Sequence, residues 1–178
     1  NVGSQPLANN AHEKYPDAFG MVSLNDLKTY SVDYAIANEA NAKNIDFKFY
    51  CFGAAGSPRL YSMDNTGKDS EFSGSIGKLS AIKVKNLTRF AILSNFDYEN
   101  ATVTSISSEI LSSSITQSLL DPIAVGNIIA FRTGGSSAAG GGRIGVMKVI
   151  NITEPKDLVS SNATARVMTV EIKFPQKK

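Results

Sequence analysis

The sequence predicts a mainly β fold, with antiparallel sheets in a β-sandwich-like arrangement and one or two short α-helices packed on them. Three observations carry that expectation. In the last apolar segment Met168, Val170, Ile172 and Phe174 alternate with Val167, Thr169, Glu171 and Lys173, the pattern of an antiparallel strand with one dry and one wet face. Ile45 to Phe52 alternates in the same way. Between Val125 and Ile152, two strand-like runs, Ile128 to Thr133 and Ile144 to Ile152, flank a glycine-rich link, Gly134 to Gly142.

Composition bounds the rest. The 178 residues are 42% hydrophobic and 19% charged, which fits one globular domain with an ordinary core and excludes a disordered chain. Lys and Arg number 18 against 16 acids, so the net charge of +2 supplies no basic field for nucleic acid. No apolar run reaches the roughly 18 residues that a membrane-spanning helix needs. Cys51 is the only cysteine, so no intrachain disulfide or thiolate metal site is expected.

The chain begins at Asn1 without a signal peptide, and a mature form trimmed of its targeting segment is expected. A low charged fraction with abundant Ser, Thr, Asn and Gly points to an exported bacterial β-protein.

In chain order, residues 1–17 carry Pro6, Pro16 and no apolar periodicity, so an extended leader is expected, followed by a single β-rich domain over residues 18–178. The lone His12 lies in that leader, away from any fixed geometry that would make it a base or ligand. Phe19 to Leu24 opens the domain as a strand, with Asn25 and Asp26 as a turn. Ser31 to Asn44 is Ala-rich, with Ser31 placed to cap a short amphipathic helix.

In the strand that follows, Ile45, Phe47, Phe49 and Cys51 face the core, and Asp46, Lys48, Tyr50 and Phe52 face away from it. Cys51 is expected as a small buried hydrophobe, not a nucleophile. Gly53 to Asp69 reads as a long loop, and Arg59 and Tyr61 are its candidate ligand-binding residues. Asp64 to Gly67, with Asp69 and Glu71, has the oxygen density of a calcium loop but not its spacing, because Thr66 holds the third ligand position. A plain turn is the better account.

Ile76 to Leu93 holds two apolar groups, around Ile82 and Phe90, that fit two strands or one bent strand. Thr102 to Ser118 places Ile106, Ile110, Leu111, Ile115 and Leu119 at steps suited to a helix, with Ser107 or Ser108 as cap and Pro122 beyond its end.

Within the glycine-rich stretch, Gly140, Gly142 and Gly145 satisfy the spacing G-x-G-x-x-G. A dinucleotide site needs a helix to start at the third glycine, so that its N–H groups meet the pyrophosphate. Val146 to Ile152 is β-branched and reads as a strand, central and covered on both faces, with Ile144, Val146, Ile150 and Ile152 on one side and Met147 and Val149 on the other. No Lys-Ser or Lys-Thr follows the glycines, so no cofactor is implied and the link reads as a flexible hairpin loop. Lys177 and Lys178 read as a solvated tail.

The order of these segments resembles a known group. An Ala-rich helix, then IDFKFYCFG, a Ser-Pro loop, NLTRFAIL, VGNIIAFRT with RIGVMKVINI, and VMTVEIKF are together similar to the repeated domain of secreted or lipid-anchored surface proteins of Bacteroidetes. The resemblance spans Phe19 to Phe174. It implies a mainly β domain exported past the inner membrane, with a lipidated cysteine upstream of Asn1 as its only membrane contact. The location implied is the extracellular or outer-membrane surface, or the periplasm. The Gly134 to Gly142 link departs from the tight turn expected in relatives, and no catalytic residue is carried over.

The functional expectation is therefore a non-catalytic surface module that binds a glycan or protein, or spaces other domains. No catalytic or metal residues are assigned. The alternative is a glycoside hydrolase in which Asp97 and Glu99, on one face of a strand, act as acid and base; such pairs stand about 5 to 9.5 Å apart. Four sequons, at Asn86, Asn100, Asn151 and Asn162, matter only in a eukaryotic secreted protein.

Overall fold

The computed structural model describes residues 1–158 and 162–176, so the expected tail at Lys177 and Lys178 lies outside the described residues. Two five-stranded sheets, antiparallel throughout, stack face to face. The first runs, in spatial order, β1 (Val2–Gly3), β10 (Val167–Lys173), β9 (Ile144–Ile152), β8 (Ile128–Arg132) and β6 (Arg89–Leu93). The second runs β3 (Lys28–Tyr30), β2 (Met21–Ser23), β4 (Phe47–Phe52), β5 (Ser57–Ser62) and β7 (Leu119–Leu120). The expected sandwich is present, with three short helices: α1 (Val32–Ala37), α2 (Glu39–Lys43) and α3 (Val103–Glu109).

Alternation along the strands builds the middle layer. Phe47, Phe49, Cys51 and Leu60 from the second sheet meet Phe90, Ile129, Phe131, Met147, Val149 and Met168 from the first, with Phe47 and Phe90 edge to face at 5.7 Å. Two outer layers cover the sheets. Met21, Tyr50, Tyr61 and Met63 pack under Val32, Ala35 and Ile36 of α1 and under Phe72, Leu79 and Ile82. On the first sheet, Ile106 of α3 and Ile110 just beyond it lie over Ala130 and Val146.

These outer layers correct the expectation for β4, which is buried on both faces up to Cys51, with Asp46 and Lys48 fully enclosed. The leader is corrected too. Val2 and Gly3 pair with Met168 and Val167, Ser4, Gln5 and Ala8 are buried, and the Gln5 side chain exchanges hydrogen bonds with the backbone of Cys51 (2.5 and 2.9 Å). A segment poor in apolar residues is held by backbone pairing, which hydropathy does not register. His12 is half-buried, and its Nδ1 accepts a 3.1 Å bond from the Lys14 amide.

The Ser31 to Asn44 helix is two helices. Ser31 caps α1 as expected, accepting from the Tyr34 amide, but Asn38 is extended and its side chain caps α2 through the Asn41 amide. Asn competes with the helix ladder by bonding nearby backbone. The Thr102 to Ser118 helix stops at Glu109, and its cap is Thr102 in a capping box with Ser105, not Ser107 or Ser108. The Ser-rich remainder forms one 3-10 turn, Ser112–Ser114, and β7. Serine is a poor helix former for the same reason as Asn. Between Ile76 and Leu93 only Arg89–Leu93 is a strand, with a 3-10 turn at Leu79–Ala81.

β9 is central and covered on both faces, as expected, but a bulge reassigns its far end. Thr169 pairs with Asn151 and Val170 with Val149, so Ile150 is skipped and stands 43% exposed, while Ile152 turns onto the inner face with Met147 and Val149. The glycine-rich link is docked, not free. The Ala138 amide donates to Lys43 O (2.9 Å) and Ala139 enters the middle layer. Gly145 lies within β9, and a Cβ there would collide with Phe131 and Phe174, so packing explains the third glycine.

Candidate functional site

The segment expected as a loop over Gly53 to Asp69 contains β5, so Arg59 and Tyr61 are strand residues, two apart and on one face. That face is the outer face of the second sheet, where β4 lies alongside with Tyr50 opposite Arg59 and Lys48 opposite Tyr61. Tertiary pairing adds three residues that sequence spacing did not associate with them: Phe52, Lys68 and Asp121.

Phe52 is 40% exposed, at the end of β4 where the outer layer no longer covers the sheet. The Arg59 guanidinium carbon lies 4.3 Å from its ring centroid and the Lys68 Nζ 4.5 Å, with Lys68 also 5.8 Å from the Tyr50 ring. Arg59 Nη1 donates to the Tyr61 hydroxyl at 3.3 Å. Its Nε is 2.9 Å from Asp121 Oδ1, an ion pair whose geometry is not that of a hydrogen bond. Burial works against the guanidinium charge, yet Tyr61 and Asp121 keep its pKa above the ordinary Arg value. Lys68 has no ion-pair partner among the described residues. Burial, then the Glu71 charge, raises the Tyr50 pKa. Chemically, this is an aromatic platform with one satisfied and one available cation. It lies on an open sheet face.

Tyr61 itself is only 3% exposed and serves as support. Beneath it Lys48, fully enclosed, donates to Asp69 Oδ1 (2.6 Å) and Asn65 O (2.9 Å). Burial lowers the Lys48 pKa and the Asp69 charge opposes that. Two acids of the calcium-like stretch are thereby used: Asp69 holds Lys48, and Asp64 takes two 2.8 Å bonds from Arg89. Among the described residues no group of three His, Cys, Asp or Glu could hold a metal ion.

Asp97 and Glu99 lie in a turn after β6, not on a strand face. Asp97 accepts from the Asn100 side chain (2.8 Å) and amide (3.2 Å), which lower its pKa, the opposite of what a general acid requires. Glu99 is ion-paired with Lys148. Cys51 is fully buried and its thiol pKa is pushed up to about 12 by burial, so it is inert as a nucleophile. The sequon at Asn86 is buried, its amide donating to Lys43 O and Ile45 O. Among the described residues no helix is long and apolar enough to cross a membrane.

No family model, curated protein or solved structure matches the chain.

Proposed function

We propose that the protein is a non-catalytic surface module, displayed extracellularly, on the outer membrane through a lipid anchor, or in the periplasm, that binds an acidic glycan or protein ligand on the outer face of β4 and β5. The observation that carries this is the exposed Phe52 ring set between Arg59 and Lys68. An aromatic face offers apolar contact to a sugar or side chain, and a cation beside it selects a carboxylate or sulfate. The surroundings support the same reading, since Lys48, Asp69, Asp64 and Asp97 are each engaged with neighbouring groups of the fold.

The test is a glycan array and a surface-protein pull-down with the native chain and with Phe52→Ala and Lys68→Ala, each checked by circular dichroism. Ligand retained by the native protein and lost by both variants is the expected result. Retention by both folded variants would remove this face from consideration.

A further inference from the structure

The two sheets present four edge strands, and three of them, β1, β3 and β7, are two or three residues long. Short edges offer little to pair with. β6 has five residues, and from Phe90 to Leu93 it carries no charge and no proline. Among the described residues its outer edge is closed only at Phe90, whose N–H and C=O both bond Gln117 (2.8 and 3.0 Å). Because outward-facing pairs recur every second residue, the N–H and C=O of Ile92 point the same way. The chain from Glu109 to Ser114 has turned aside there, and a cavity of about 520 Å³ opens against the bare edge. Ala91, Leu93, Phe96 and Ile110 make its apolar wall; Glu109 is the one acidic side chain lining it and has no ion-pair partner among the described residues.

We propose that the β6 edge and this cavity form a binding site for an extended segment of a partner protein, which adds to the first sheet as a sixth strand. One segment residue exchanges backbone hydrogen bonds with Ile92. Its two neighbours then lie opposite Ala91 and Leu93 and project on the α3 side, into the cavity, so they are apolar and of β-branched size. Residues three positions either side of the paired one point to the same side, where Glu109 selects Lys or Arg. The partner chemistry is therefore a strand in which basic and apolar residues share one face. A second copy of this chain is disfavoured by charge, because a two-fold pairing at Ile92 brings Arg89 of that copy to the third position, where it is already held by Asp64 through two 2.8 Å bonds and is not free for Glu109.

The probe is the fluorescently labelled, acetylated and amidated heptapeptide KTVTVTK, with ETVTVTE as its acidic counterpart, titrated into the full chain by anisotropy. Saturable binding of the basic peptide, about tenfold tighter than that of the acidic one, is expected. Ile92→Pro removes the N–H from an edge position, and Ser114→Trp fills the cavity while leaving the sequence of β6 unchanged; each should weaken binding at least about tenfold. Glu109→Lys should reverse the preference between the peptides. Failure of both peptides to bind, or binding unchanged by Ser114→Trp in a protein of native circular dichroism, overturns the proposal. So does self-association in sedimentation that Ile92→Pro abolishes, which would make a second copy the occupant.

Discussion

Ser137 Oγ donates a 2.6 Å hydrogen bond to Asp46 Oδ1, joining the glycine-rich link to the residue that leads into β4 across 91 positions of sequence. The other carboxyl oxygen accepts from the Leu24 amide at 2.7 Å. The enclosure raises the Asp46 pKa to about 6, burial being the largest cause.

Stability should therefore depend on pH through Asp46. Between its unfolded value near 4 and the folded value of about 6, the native state binds more protons than the unfolded chain, so stability falls as pH rises through that window and is level above it. The loss is about 2–3 kcal/mol. Urea unfolding midpoints from pH 4 to 7 measure it, and Asp46→Asn, which keeps an acceptor and removes the charge, should flatten that part of the profile.

Breaking the enclosed Lys48–Asp69 pair should be costly. Asp69→Asn leaves the ammonium with a neutral partner, and Asp69→Ala leaves it with Asn65 O alone, so the alanine variant should lose about 3–5 kcal/mol and the asparagine variant less. Lys48→Met combined with Asp69→Ala should lose less than the sum of the single changes. A double-mutant cycle by chemical denaturation reads the difference.

Gly145→Ala probes the glycines as packing residues. The added methyl meets the Phe131 and Phe174 rings, which stack edge to face at 5.1 Å. A destabilisation of about 1–3 kcal/mol is expected. Gly142→Ala faces open space but sits at φ +72, so backbone strain is its main cost, about 1 kcal/mol. Equal effects at the two positions would contradict the packing account.

The Cys51 thiol should be silent in the native state. Its burial and raised pKa predict that an aromatic disulfide reagent at pH 8 reacts only as fast as the protein opens, and reacts at once in urea. Fast labelling without denaturant would show that the Gln5 contact and β1 open locally.

Period-two alternation determined much of this fold in advance. Phe47, Phe49 and Cys51, and Met168, Val170 and Ile172, lie on the inner faces of β4 and β10, since side chains on a strand must alternate and in each of these strands only one set is wholly apolar. The rejection of a nucleotide site at Gly145 was also local, because β-branched residues follow it. Other features depended on pairing between distant segments. β5 was hidden by Gly53, Gly56 and Pro58, turn formers that an adjacent strand tolerates once Cys51 pairs with Pro58. β1 has two residues and no pattern, yet β10 holds it. Lys48 and Asp46 read as wet positions until Asp69 and the glycine-rich link reach them, each supplying a partner over 20 residues away. The candidate site has the same origin. Arg59 and Tyr61 were visible as residues, but Phe52, Lys68 and Asp121 join them only because the sheet brings strand ends and turns together, and hydrophobic burial, which drives that assembly, carries no record of neighbours in the linear sequence.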